Sequence, residues 1–275
     1  MHSTNCLNCG TGLEFNQQFC SHCGQRADTH RLTIRHFFHE FFHAFTHADK
    51  GIFHLLADLA TKPGVVARNY LTGKRKSYFN PFTFFLIMMG IFVISNKMFR
   101  TERTDAVVPK EILAIPNIQQ REGAIAMFER GNRVSNFMKN NGNVVSMIAI
   151  PLMAFVFWIF FRRKNFNYAE HLTANLMFTA FANIVFTLLI FPLQKLMQGS
   201  GYVPLLTLFG LIFQVAYFSW AYNGLFQVRS AAGKFEIIGV SILSILVWSL
   251  FSMTLMAIYI YQSWNFYQFF GRMIR

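Results

Sequence analysis

Charge is scarce in this chain. Asp, Glu, Lys and Arg supply 13% of its 275 residues, against roughly 25% in typical soluble domains. Hydrophobic residues supply 53%, and 34 residues are Phe. So few charges cannot cover so much apolar surface in water, which excludes an ordinary soluble domain and calls for a bilayer as solvent. Lys and Arg are missing from residues 1–25, as is any apolar core segment. The N-terminus therefore reads as a folded module and not as a cleavable leader. Also missing are a G-x-S-x-G elbow, a phosphate-binding glycine loop and an H-E-x-x-H helix, so no known enzyme class is indicated. Cysteine does not occur after Cys23.

The four cysteines that are present, Cys6, Cys9, Cys20 and Cys23, follow the spacing C-x2-C-x10-C-x2-C, and each pair is followed by glycine. Two intervening residues let both thiolates of a pair reach one ion from a tight turn. Gly10 and Gly24 can take the positive φ such turns favour. Soft thiolates at tetrahedral reach select zinc or iron, and zinc is the expected ion. Two disulfides or free thiols are the alternative, disfavoured in a reducing cytosol. His22 reads as a bystander because four thiolates already close the site. A closed site is structural. Without nearby cations it does not bind nucleic acid. Docking to a protein partner, through Phe15 or Phe19, is the better expectation.

The net charge is +13. Basic residues cluster beside apolar runs, at Lys74-Arg75-Lys76 and Arg162-Arg163-Lys164, where cytosolic loops meet lipid headgroups. From Arg31 to Ala48 a helical period puts Ile34, Phe37, Phe38, Phe41, Phe42 and Phe45 on one face and His36, His39, His43 and His47 on the other. This predicts an amphipathic helix in the bilayer interface or packed under the bundle. Its histidines read as a polar face, with a metal site or a pH-responsive surface as open alternatives. The apolar stretch Ile52 to Leu59, the break at Pro63-Gly64 and a short helix from Val65 to Leu71, stopped by Gly73, come next.

Five apolar runs are long enough to span, approximately Pro81–Lys97, Val144–Phe161, Leu172–Leu193, Tyr202–Phe226 and Ile237–Tyr261. The basic clusters and the reduced cysteine module both put the N-terminus in the cytosol. The loop Met98 to Asn143, with seven basic and five acidic residues, and the C-terminus are then outside. The span interiors hold no Asp, Glu, Lys or Arg, which lowers the case for an energised pump. Milder polar residues do occur there: His171, Asn175, Thr179 and Asn183 on the third span, Gln214, Tyr222 and Asn223 on the fourth, and Ser241, Ser244 and Ser252 on the fifth. They read first as interhelical hydrogen-bonding groups and second as a polar conduit. Pro151 and Pro192 read as kinks or span ends. Glu170-His171, before the third span, is the one acid–base pair beside an apolar run. It is a helix cap on one reading and the catalytic pair of a lipid-modifying enzyme on another.

Several blocks look familiar: His36-Phe37-Phe38-His39-Glu40-Phe41-Phe42-His43, Asp49-Lys50-Gly51, Pro63-Gly64-Val65, Tyr70 to Lys76, Asn80-Pro81-Phe82 and Tyr168 to Leu172. Together they resemble an uncharacterised family of bacteroidete membrane proteins that join an N-terminal zinc ribbon to several spans. The resemblance implies a bacterial inner-membrane location and no particular activity.

The expected fold is an all-α membrane protein. It comprises a zinc ribbon at 1–27, cytosolic or interfacial amphipathic helices at 28–77, and a bundle of about five spans at 78–275 with an extracytoplasmic loop near 98–143. The leading functional expectation is a non-enzymatic protein that recruits or regulates a partner, or assists passage of a lipid or small molecule. A transporter or channel proper is the alternative, and a lipid-modifying enzyme using Glu170 and His171 is the second. Expected partners are the lipid bilayer and a cytosolic or membrane protein, with a second copy of the chain left open.

Overall fold

The computed structural model describes residues 4–14, 17–29, 31–35, 51–99, 107–197 and 199–262. Phe15 and the histidine face at 36, 39, 43 and 47 lie outside them. Helices dominate: α1 (Ile52–Thr61), α2 (Pro63–Leu71), α3 (Pro81–Phe99), α4 (Lys110–Leu113), α5 (Ile118–Asn140), α6 (Gly142–Phe160), α7 (Tyr168–Val185), α8 (Phe191–Leu196), α9 (Val203–Phe226) and α10 (Ala231–Tyr261). Among the described residues no strand forms, only two isolated β-bridges in the cysteine module.

Among the described residues, five helical segments are long and apolar enough to cross a membrane: Pro81–Phe99, Gly142–Phe160, Tyr168–Leu196, Val203–Phe226 and Ala231–Tyr261. Each overlaps one of the expected runs. The third is the central one. Half of its apolar window is buried, against 22% for the fourth and fifth, and α7 packs against α1, α2, α3, α6 and α9. Its fully buried Met177 and Phe178 lie in one apolar core with Phe84, Phe157, Phe218 and Leu225. The helix widens into a π turn at Phe186–Ile190 just before Pro192. Proline lacks an N–H and its ring crowds the carbonyl four residues back, so a wider turn relieves the clash.

Two features add to the spans, the first built from the expected stretches Ile52 to Leu59 and Val65 to Leu71. α1 and α2 form a helical hairpin, with Pro63 at the start of α2, where its missing N–H costs nothing. The hairpin packs along α7 and α9. Tyr217 donates its hydroxyl to the Leu59 carbonyl at 3.1 Å. Tyr217 lies nine residues before the end of α9, ~14 Å along the axis at 1.5 Å per residue. The close approach depends on glycine: a Cβ on Gly64 would sit 2.2 Å from the Ala221 carbonyl oxygen. The second feature is α5, inside the segment read as a loop. Asn117 caps it by accepting from the Gln120 N–H at 3.1 Å. Arg130 anchors it by donating to the Ile260 carbonyl at the far end of α10 at 2.7 Å.

Candidate metal centre and its docking onto the bundle

The cysteine module is built twice over from one pattern. In the first knuckle Cys6 N–H donates to the Thr11 carbonyl and Gly10 N–H to the Cys6 carbonyl. In the second, Cys20 N–H donates to the Gln25 carbonyl and Gly24 N–H to the Cys20 carbonyl. Gly10 and Gly24 have φ of 79° and 70°, the left-handed region expected of them. The two loops face each other, and the four Sγ atoms all lie within 4.8 Å of one another. Cys6–Cys23 and Cys9–Cys20 are each separated by 3.6 Å. That is far too long for a disulfide. It is close to the edge of a tetrahedron with metal–sulfur bonds of ~2.3 Å, about 3.8 Å. The donor set therefore fits a metal ion held by Cys6, Cys9, Cys20 and Cys23. His22 is exposed and lies outside the cluster.

The electrostatics of the thiols are uneven. Cys9 sits 3.2 Å from the Thr11 hydroxyl. The Thr11 side chain and backbone hold the Cys9 thiol down to about 5, while burial pushes Cys6 up to about 11. A cation at the centre would favour the thiolate form at all four positions.

The module does not hang free. Gln25, itself buried, accepts the Lys76 backbone N–H on Oε1 at 2.9 Å. The Ser77 hydroxyl bonds to Asn8 Oδ1 in the first knuckle. Gly73, at φ 107°, leaves so little room that a Cβ there would meet Leu7 at 2.8 Å. The segment after the module then straps onto the start of α7. Arg31 Nε and Nη2 donate to the two carboxylate oxygens of Glu170 at 2.7 and 2.8 Å, and Arg31 also bonds to the Asn165 carbonyl. Asn167 donates to the Leu32 carbonyl at 2.9 Å, and Leu32 is buried in the main core.

Glu170 and His171 are neighbours in sequence but do not share a site. Glu170 is 3% exposed. It closes a capping box with Asn167, and both of its oxygens accept hydrogen bonds. His171 points into the bundle. Its Nδ1 is 3.3 Å from the Tyr222 hydroxyl, and the Asn175 amide donates to that same hydroxyl at 2.6 Å. The Tyr222 hydroxyl thus joins His171 and Asn175 in one buried polar cluster. His171 Nε2 is buried with no partner. The Tyr222 ring stacks on Phe157 with centroids 3.7 Å apart, so this polar cluster is enclosed by aromatic side chains. The role of Arg31 was not legible beforehand, because a lone arginine after the module carries no pattern.

The fold and the cysteine cluster together define an all-α protein of membrane type, with five helices compatible with a multi-pass arrangement and an N-terminal four-cysteine module that could hold a metal ion. Residues 49–93, which cover α1, α2 and the first part of α3, match the model of a family described as Protein of unknown function (DUF3667). That match supports the resemblance to an uncharacterised domain family. No curated protein matches the chain, and no solved structure does.

Proposed function

We propose that this chain is a non-enzymatic membrane protein whose cytosolic zinc module is a rigid platform for recruiting or regulating a partner at the inner face of a bacterial inner membrane. The observation that carries this reading is the module's double attachment to the bundle, through Gln25 and Asn8 on one side and the Arg31–Glu170 pair on the other. A closed four-thiolate zinc site has no open position for a substrate, so its contribution is rigidity. Phe19, 56% exposed on the second knuckle, is the apolar side chain best placed to meet a partner. Both oxygens of Glu170 are engaged, which speaks against Glu170 as a general acid or base.

The test uses full-length protein in its native membrane with a photo-crosslinking side chain at position 19. The expected result is a discrete protein adduct that disappears in the Cys6→Ser variant. No adduct, or the same adduct in both proteins, rules recruitment out. Orientation is checked by thiol labelling, which is clean because every cysteine lies in the module. A membrane-impermeant maleimide should label these thiols only after the inner membrane is opened and the metal chelated.

A specific observation favours a second reading, passage of water or a small polar molecule. His171 Nε2, Asn175 Oδ1, Thr179 Oγ1 and Thr187 Oγ1 on the third span, with Ser219 Oγ and Asn223 Oδ1 on α9, are buried without partners. The four on the third span are spread over ~24 Å of helix from His171 to Thr187, and ordered water would satisfy them. A cysteine placed at Thr179 that resists small methanethiosulfonates from both sides would end this reading.

A further inference from the structure

Beside the Arg31–Glu170 pair lies a cavity of about 600 Å³. Four basic residues line it, Arg31, Arg68, Arg163 and Lys164, against one acidic residue, Glu170. Arg31 already neutralises that carboxylate. Among the described residues no ion pair engages the other three cations. Arg68 is aimed by a 3.0 Å hydrogen bond from Nη1 to the Leu225 carbonyl, which leaves most of its guanidinium donors for a ligand. Thr29, on the same wall, has a buried hydroxyl with no partner among the described residues. Three cationic residues around one cavity, with no ion pair among the described residues, attract an anion. A guanidinium fork matches phosphate oxygens in pairs.

We propose that this cavity binds a phosphate-bearing anion, and that its surroundings suit the headgroup of an anionic lipid. Leu71, Phe166 and Phe226 supply an apolar wall. Trp158 and Tyr168 lie close by at the ends of α6 and α7, with ring centroids 6.0 Å apart, and Arg162 packs over Trp158 at 5.1 Å. Aromatic and basic residues combined in this way mark the headgroup level of a bilayer. The space exceeds what a bare phosphate requires and accommodates the glycerol and substituent of a lipid. The inference extends the proposed function, because Thr29 and Arg31 reach the cavity only when the cysteine module is docked.

The experiment counts bound lipid by native mass spectrometry on full-length protein in a neutral detergent, with zinc measured on the same sample. Dioleoylphosphatidylglycerol should be retained at least tenfold more strongly than dioleoylphosphatidylcholine. The double variant Arg163→Gln/Lys164→Gln alters exposed side chains, so it should keep its zinc and lose at least tenfold of the anionic lipid. Arg68→Lys keeps the charge and removes the fork, and should lose several-fold. If millimolar inorganic phosphate displaces the lipid, the site also takes free phosphate. If it does not, the site is specific for lipid. Either outcome supports a phosphate site. Equal retention of the two lipids, or unchanged retention in both variants, overturns it. Unchanged zinc in that case would leave the platform reading intact.

Discussion

Arg31 and Glu170, 139 positions apart, meet through two parallel N–H···O bonds of 2.7 and 2.8 Å. This pair fastens the segment that follows the metal module to the first turn of the central helix. Glu170 also caps that helix by accepting the Asn167 N–H at 2.7 Å, so one carboxylate closes a helix end and holds a strap. Removing Arg31 leaves a buried carboxylate with only its cap. Because the Arg31 side chain is 56% exposed, solvent screens the pair and the cost of Arg31→Ala is about 1–2 kcal/mol. The sensitive readout is limited proteolysis. Arg31→Ala should speed cleavage between the module and α1, while the bundle melts within a few degrees of the parent. An unchanged digestion rate would show that the strap does not depend on the pair.

Gly64 tests the hairpin. A methyl at this position runs into the backbone of α9 at 2.2–2.5 Å, which no side-chain rotation relieves. Gly64→Ala should cost about 3 kcal/mol or more and broaden the size-exclusion profile. Gly90→Ala is the control, since a Cβ there meets nothing within 4 Å. It should be neutral or slightly stabilising, as alanine favours helix over glycine. Equal behaviour of the two variants would mean that α2 does not press on α9.

Metal removal tests the centre. Full-length protein should contain one zinc per chain, and Cys9→Ser or Cys20→Ser should reduce this to a small fraction. Only the thiolate form binds metal, so protons compete with it, and zinc should be released as pH falls. Chelation should expose residues 4–29 to protease and leave α3 to α10 protected. Iron in place of zinc in the elemental analysis would keep the site and change its ion.

The His171–Asn175–Tyr222 cluster is tested by Tyr222→Phe. The ring and its stack on Phe157 stay, but Asn175 and His171 both lose a buried partner. The expected loss is about 1–3 kcal/mol in thermal or denaturant unfolding in detergent. A variant as stable as the parent would show that water takes over these bonds.

The sequence by itself determined what depends on local spacing and bulk composition. Two C-x2-C-G turns fold the same way because each makes its own backbone hydrogen bonds, so the cysteine cluster could be placed before any tertiary information. The five long apolar helices follow from hydropathy, because a run of that length has no other solvent. Pro81 marked a helix start for the same local reason, while Pro63, read as part of a break, opens α2 itself. What only the tertiary structure decided are contacts between isolated residues far apart in the chain. Nothing periodic marks Arg31 as the partner of Glu170, or Gly64 as the point where α2 meets α9. The cavity beside Glu170 gathers cations from three separate segments, the start of the Arg31 stretch, helix α2 and the loop at Arg163-Lys164, none of which alone reads as a binding site. α5 was missed because its weak apolar stripe sets it apart neither from a loop nor as a span. The metal module was legible as a cluster of thiols, but its attachment to the bundle was not, since that rests on single side chains, Asn8, Gln25 and Arg31, that acquire meaning only once the chain has folded back on itself.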